Sequence, residues 1–161
     1  MNGHTLKVVI GSDHRGAKAS ELVRETLVAL GHRAEIIDGC DGETCDYPEK
    51  AWTIGRAITD ADADRGILIC GTGIGMSIAA NKMPGLRAAL VHDELTAQLS
   101  RSHNDANVLC ISADLLGRPL IEKIVAAWMA TEFEGGRHAR RVAKIDAIEQ
   151  GRDPTQVAAP T

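Results

Sequence analysis

Five short apolar segments constrain the fold of this 161-residue chain more than any other feature. They are LKVVIGSD, RAEIID, GILIC, LRAALV and NVLCIS, at residues 6–13, 33–38, 66–70, 86–91 and 107–112. A longer amphipathic stretch follows each of them. Continuous apolar strands that alternate with helices are typical of a parallel sheet covered on both faces. The sequence therefore predicts an α/β three-layer sandwich with a five-stranded parallel sheet.

Glycine and proline mark where the predicted helices begin and end. Gly31 stops the first helix, and Pro48 suits the first turn of the second. A Gly135-Gly136 break precedes the last helix, predicted from about Arg137 to Gln150. The sequence shows no repeat and no low-complexity segment, so residues 1–150 are predicted as a single domain and residues 151–161, GRDPTQVAAPT, as a C-terminal tail.

Composition excludes several classes of function. The net charge is −4 and aromatic residues make up only 2%, which argues against a nucleic-acid surface, because such surfaces are basic and carry stacking rings. No apolar run approaches the length that spans a membrane, and no secretory signal is recognisable, so a cytoplasmic location is expected. The four cysteines (Cys40, Cys45, Cys70 and Cys110) are then expected to be free thiols. Their spacing matches no zinc site, so no metal is predicted.

A glycine-rich loop follows the third predicted strand and opens a helix. Ligands of parallel sheets bind beyond the carboxyl ends of the strands, where this loop lies. Gly71, Gly73 and Gly75 alternate, so the loop is neither a dinucleotide fingerprint nor a P-loop. Such glycines let backbone N–H groups approach an anionic oxygen, and we favour an anion or oxyanion site here over a tight turn that needs small residues.

Cys70 occupies the junction between this strand and the glycine loop. A thiol at the start of a helix experiences a positive potential that favours the thiolate. The alternative is a small buried hydrophobic residue, which is the commonest role of a free cysteine. Position alone does not separate these two interpretations.

Five segments resemble one family. GSDHRG, DYP, GILICGTGIGMSIAANK, AQLSRSHNDANVL and FEGGRHARRV occur in its order and spacing, and the resemblance runs from Lys7 to Gln150. The chain is similar to the type B ribose-5-phosphate isomerases, a group that includes galactose-6-phosphate and allose-6-phosphate isomerases. The resemblance implies a Rossmann-like fold and cofactor-free aldose–ketose isomerisation through an enediolate. It also implies a homodimer or homotetramer whose sites are shared between subunits.

The resemblance assigns roles to individual residues. The family's catalytic base matches Cys70, the hydroxyl beside it matches Thr72, and the ring-opening histidine matches His103. Some relatives instead use a glutamate just after the glycine loop, where this chain has Met76. The substrate-binding positions of the family match Asp13, His14, Asp46, Tyr47, Gly71, Gly73, Ile74, Gly75, Asn104, Arg137, His138 and Arg141.

Several of these side chains have ordinary alternatives. Arg137 and Arg141 are four residues apart and share a helix face, which suits a phosphate but equally a solvated basic stripe. Asp13 either orients a substrate hydroxyl or caps the first helix, and both roles are compatible. His14 and His103 are each either catalytic groups or polar caps.

Asp114 departs from the family pattern. Many ribose-5-phosphate members carry an arginine at this place, whereas a carboxylate repels phosphate. The leading prediction remains a ribose 5-phosphate–ribulose 5-phosphate isomerase. The alternatives are an isomerase of allose 6-phosphate, galactose 6-phosphate or a tetrose phosphate, a non-catalytic sugar-phosphate-binding module, and, least favoured, a thiol redox protein using Cys70 with Cys110.

Overall fold

The computed structural model describes residues 4–40 and 43–158 of the chain. Strands and helices alternate as far as the fifth strand, after which two helices follow in succession. The elements are β1 Lys7–Ser12, α1 Ala17–Ala29, β2 Arg33–Asp38, α2 Tyr47–Thr59, β3 Arg65–Cys70, α3 Ile74–Ala80, β4 Ala88–Leu90, α4 Glu94–Ser102, β5 Val108–Ser112, α5 Arg118–Ala130 and α6 Arg137–Glu149, with a short 3₁₀ turn at Pro154–Gln156.

The five strands form one parallel sheet in the order β2-β1-β3-β5-β4. This confirms the predicted α/β, Rossmann-like three-layer architecture. β3 lies at the centre and is buried along its whole length, as its unbroken apolar sequence indicated. The loop that follows β3 is therefore flanked by the loops that follow β1 and β5.

Each face of the sheet has its own hydrophobic core. One core packs α1 and α5 against the sheet and contains the fully buried Trp128. The other packs α2 and α3 against the opposite face and contains Met76 and Cys110, both fully buried. Met76, which stands where some relatives have a glutamate, is thus a core residue.

The direction of the strands gives the sheet two functionally different ends. We call the end at which the strands finish the carboxyl edge and the opposite end the amino edge. Each helix that follows a strand starts at the carboxyl edge and returns to the amino edge. Cys70, the last residue of β3, is thus at the carboxyl edge, while His103, which follows the last turn of α4, is at the amino edge.

Two details differ from the sequence-based expectations. The Cα atoms of Cys40 and Cys45, which lie between β2 and α2, are 6.1 Å apart, and the two residues form a disulfide. The expectation of free thiols is therefore wrong for this pair, whereas Cys70 and Cys110 are free and buried. The predicted tail contains the 3₁₀ turn, which Asp153 caps by accepting a hydrogen bond from the Thr155 N–H at 2.8 Å. Within residues 4–40 and 43–158, no helix is both long and apolar enough to cross a membrane.

Candidate active site

The loop after β3 gathers a thiol, a hydroxyl and several backbone amides. The Cys70 sulfur, in a residue only 5% exposed, accepts a hydrogen bond from the Gly73 N–H at 3.1 Å. The Thr72 hydroxyl oxygen accepts one from the Ile74 N–H at 3.3 Å. The Cys70 sulfur therefore directs a lone pair at a backbone amide of the glycine loop.

Two of the loop glycines are required by sterics. Gly73 has φ +77°, in the left-handed region, and a Cβ there would lie 2.6 Å from Leu90 Cδ1 and 3.0 Å from the carbonyl carbon of Ile111. A Cβ on Gly75 would lie 2.6 Å from ring atoms of Tyr47. Tyr47 therefore packs directly on the loop, as its predicted place in the site requires.

We expect Gly73→Ala to damage the loop more than any other single methyl addition in it. The left-handed conformation alone costs about 1–2 kcal/mol for a residue with a side chain, and the backbone contact with Ile111 cannot relax easily. Denaturant unfolding should show a loss of about 2 kcal/mol or more. Gly117→Ala is the matched control, because Gly117 has φ −76° and the nearest atom to an added Cβ is 3.9 Å away. Equal stability losses in both variants would contradict this account.

The loop after β1 lies beside the glycine loop. Asp13 is buried, its N–H donates to the carbonyl oxygen of Ile69 at 3.1 Å, and its Oδ1 accepts from the N–H groups of Arg15 at 2.9 Å and Gly16 at 3.2 Å. Asp13 thus shapes the turn into α1 but does not cap the helix, because the N-cap residue is Gly16 and no side chain makes a capping hydrogen bond, so the capping alternative is wrong. His14 is exposed within this turn.

The start of α2 supplies the remaining predicted residues at this edge. Asp46 occupies the N-cap position with an extended backbone, and its carboxylate makes no capping hydrogen bond. Tyr47 follows it and contacts Gly75. The structure therefore brings the DYP segment to the glycine loop from the opposite side to the loop after β1.

One ion pair at this edge was not singled out from the sequence. Arg15 Nε donates to Asp114 Oδ2 at 2.7 Å, across the backbone of Gly71. In the sequence, Asp114 stands out only as a departure from a family pattern, and Arg15, between His14 and Gly16, matches no substrate-binding position of the family. Their separation of 99 residues gave no local signal.

The second group of predicted residues lies at the amino edge. The His103 N–H caps α4 by donating to the carbonyl oxygen of Leu99 at 3.0 Å. Its ring stacks on that of His138, with centroids 4.1 Å apart and an interplanar angle of 7°. The Glu134 N–H donates to the carbonyl oxygen of Ser102 at 3.0 Å, which ties the turn before α6 to the end of α4.

The sequence explains how α6 reaches this position. Gly135 and Gly136 have φ +64° and +53°, so the predicted glycine break is a turn that other residues would strain. The turn orients the start of α6, which places Arg137, His138 and Arg141 beside the end of α4. Arg137 and Arg141 are exposed, while His138 is buried.

His138 is a neutral hydrogen-bond acceptor for the neighbouring Arg137. Burial lowers the pKa of His138, and the neighbouring His103 and Arg137 lower it further, against the opposing effect of Glu134. His138 is therefore neutral near pH 7, and its Nε2 accepts a hydrogen bond from Arg137 Nε at 3.2 Å. That contact holds the arginine beside the histidine pair.

The same group has the composition of a metal site but a poorer fit to one. His103, Glu134 and His138 have ligand atoms within 4.8 Å of one another. However, Arg137 already uses the lone pair of His138 Nε2, and a cation would be bound beside a guanidinium. An anionic ligand suits this arrangement better.

The structure thus separates the predicted residues into two groups within one chain. The thiol group comprises Asp13, His14, Asp46, Tyr47, Cys70, Gly71, Thr72, Gly73, Ile74 and Gly75, at the carboxyl edge. The histidine group comprises His103, Asn104, Arg137, His138 and Arg141, at the amino edge. A five-residue strand spans about 17 Å, so one small ligand cannot contact both groups in the same chain.

Cys110 is unsuited to redox exchange with Cys70. Burial, and secondarily the proximity of Cys70, raise the pKa of the Cys110 thiol far above its ordinary value. A thiol that stays protonated is a poor nucleophile for disulfide exchange. Cys110 is therefore unsuited to be the second cysteine that a thiol redox protein would need.

Comparison with known proteins supports the resemblance. The family described as Ribose/Galactose Isomerase matches residues 8–145. Ribose-5-phosphate isomerase B of Escherichia coli (strain K12) is 44% identical over 149 residues, covering 91% of this chain and 99% of that protein. D-erythrulose-4-phosphate isomerase of Pectobacterium atrosepticum is 48% identical over 145 residues, covering 89% and 95%.

A solved structure agrees with these matches. Type B ribose 5-phosphate isomerase of Leishmania infantum superposes with a TM-score of 0.88 at 41% identity, covering 92% of this chain and 99% of that one. Sequence and fold thus lead to the same conclusion over nearly the whole length of the chain. The chain belongs to the Ribose/Galactose Isomerase family of sugar-phosphate isomerases.

Proposed function

We propose that this protein interconverts ribose 5-phosphate and ribulose 5-phosphate through an enediolate, with Cys70 as the catalytic base. The observation that carries the proposal is the hydrogen bond from the Gly73 N–H to the Cys70 sulfur, at the mouth of a glycine loop on the carboxyl edge. This arrangement supports a sulfur that accepts protons beside amides that stabilise an oxyanion.

The chemistry requires both features at once. The Cys70 thiolate removes the proton from C2 of the open-chain aldose, and the electron pair moves to the C1 carbonyl oxygen to give an enediolate. Backbone N–H groups of the glycine loop stabilise the developing negative charge, and the Thr72 hydroxyl lies beside them. A proton passes from the C2 hydroxyl to the C1 oxygen, and the Cys70 thiol then returns its proton to C1 while the C2 oxygen forms the carbonyl, which yields the ketose.

The histidine group supplies the remaining functions. Sugar phosphates exist mainly as rings, so a proton must reach the ring oxygen, and imidazole titrates near the working pH. We assign this step to His103, with Asn104 as a substrate contact. Arg137 and Arg141 bind the phosphate, and the neutral His138 holds Arg137 in place.

The separation of the two groups supports a shared site. A ligand at the thiol group cannot reach the histidine group of the same chain, so a second copy contributes the latter. The expected assembly is a homodimer, or a homotetramer built from such dimers, with each site formed at an interface. Closed two-fold assemblies supply two equivalent sites in this way.

A tetrose phosphate is the second candidate substrate. The relative named D-erythrulose-4-phosphate isomerase is 48% identical to the chain, against 44% for the E. coli relative named ribose-5-phosphate isomerase B. The carboxylate of Asp114 beside the loop also alters the charge that a phosphate meets.

A substrate panel tests the proposal. Wild-type protein is assayed with ribose 5-phosphate, erythrose 4-phosphate, allose 6-phosphate and galactose 6-phosphate under one coupled format. We expect the highest kcat/KM with ribose 5-phosphate. A higher value with erythrose 4-phosphate would assign the tetrose reaction instead, and binding of all four without turnover would indicate a binding module.

A further inference from the structure

The ion pair between Arg15 and Asp114 bridges two loops across a third. Arg15 belongs to the loop after β1, Asp114 to the loop after β5, and Gly71 to the loop after β3 that lies between them. A Cβ on Gly71 would lie 2.8 Å from Asp114 Oδ2 and 3.2 Å from Arg15 Nε. The pair therefore lies on the glycine loop itself, one residue beyond Cys70.

The backbone N–H groups of both residues in the pair are fixed by hydrogen bonds. The Arg15 N–H donates to Asp13 Oδ1 at 2.9 Å, and the Asp114 N–H donates to the carbonyl oxygen of Gly71 at 3.1 Å. Next to Asp114, the Ser112 hydroxyl donates to the same Gly71 carbonyl at 2.6 Å. An exposed ion pair between flexible side chains contributes little, but here both backbone positions are fixed.

The guanidinium keeps donors available for a ligand. Arg15 uses Nε for Asp114, and its terminal Nη1 and Nη2 have no hydrogen-bond partner among the described residues. The Arg15 side chain is 56% exposed, so these two groups face solvent at the mouth of the loop. A planar guanidinium that is anchored through Nε can bind an anionic oxygen with the other two nitrogens.

The charge that this chain places at the carboxyl edge favours such a donor. The thiol group carries two carboxylates, Asp13 and Asp46, and the loop after β5 adds Asp114. A phosphorylated sugar is repelled by these groups unless a cation compensates. Among the side chains that we have placed at the glycine loop, in the part of the chain that the structure describes, Arg15 is the cation.

We propose that Arg15 is a third guanidinium that binds the phosphate of the substrate, alongside the Arg137 and Arg141 that a second copy contributes, and that Asp114 is a positioning residue that holds the Arg15 guanidinium over the glycine loop. The inference rests on the proposed function, because it places the substrate at Cys70. It explains why a carboxylate at position 114 is compatible with an anionic ligand. The carboxylate orients the Arg15 guanidinium, and the ligand contacts this guanidinium rather than the carboxylate.

The kinetics of three variants and one control variant test the proposal, each measured with ribose 5-phosphate and erythrose 4-phosphate. Arg15→Ala should raise KM about tenfold, the loss of one charge-assisted contact, with kcat within about twofold. Asp114→Ala keeps the positive charge of Arg15 but releases the guanidinium from its fixed orientation, so KM should rise about threefold. The double variant should match Arg15→Ala, because Asp114 acts only through Arg15. Inhibition by inorganic phosphate should weaken in parallel.

The matched control is Arg56→Ala. Arg56 pairs with Asp60 at 2.6 Å, with side-chain exposures of 53% and 43%, close to the 56% and 37% of the pair at the loop, but it lies at the end of α2 on the opposite edge. A KM for Arg15→Ala equal to that of this control would overturn the proposal. The proposal would also be overturned if Asp114→Ala raised KM by the same factor in the wild-type protein and in the Arg15→Ala variant.

Failure of this inference can be told apart from failure of the proposed function. If wild-type protein isomerises neither sugar, the proposed function fails, and calorimetric titration of wild type and Arg15→Ala with ribose 5-phosphate still measures the contact. Weaker binding by about tenfold in the variant supports the inference, and equal binding overturns it.

Discussion

Cys70→Ala is expected to lower kcat for the sugar-phosphate isomerisation by about 10³-fold, because general-base catalysis contributes on that order. Exchange of solvent deuterium into C2 should cease in the same variant. Ribose 5-phosphate should still bind, since the amides of the glycine loop and the guanidinium groups remain. Stopped turnover with retained binding, measured by coupled assay, NMR and calorimetry, is the expected result.

Cys110→Ala is the matched control for this experiment. Both cysteines are free and buried and lie on neighbouring strands, but only Cys70 accepts an N–H from the glycine loop. Cys110→Ala should keep kcat within about twofold and lose only some stability. Full C2 exchange in Cys70→Ala would show that the base lies elsewhere.

Mixing two inactive variants should restore activity if the site is shared between chains. Cys70→Ala and His103→Ala chains, each inactive alone, are unfolded together and refolded. Random pairing makes half of the dimers mixed, and each mixed dimer has one intact site, so about a quarter of wild-type activity should return. If one chain supplied a whole site, no activity would return.

The complementary mixture provides the control. Wild-type chains are refolded with chains of a Cys70→Ala/His103→Ala double variant. This mixture contains the same two substitutions, but both lie on one chain. A shared site leaves every mixed dimer inactive, so about a quarter of the activity should remain, whereas a site within one chain would leave about half. The two mixtures together separate shared sites from poor refolding.

The parts of the site that are contiguous in sequence were predictable. The strand, cysteine, glycines and helix of residues 66–80 encode their own geometry, because an apolar run, small residues and a helical pattern follow one another directly. The parallel sheet was predictable for the same reason. The Gly135-Gly136 break was also readable, since its two positive φ angles suit glycine alone.

Features that depend on tertiary packing were not predictable from pattern. The stack of His103 on His138 needs α6 to return to the end of α4, and the pair of Arg15 with Asp114 needs two loops to meet across β3. The expectation of free thiols at Cys40 and Cys45 is wrong because the fold brings their Cα atoms to 6.1 Å, which the expected cellular compartment does not reveal. The spacing of residues along the sequence does not predict these tertiary contacts.

The separation of the thiol group and the histidine group at opposite edges of the sheet, together with the proposed shared site, predicts that activity depends on protein concentration. A protein whose chemistry needs two copies should lose specific activity on dilution below the dissociation constant of its dimer. Turnover per chain then depends on how abundant the chain is. Any ligand that spans both copies, including the sugar itself, should hold them together and protect activity at low abundance.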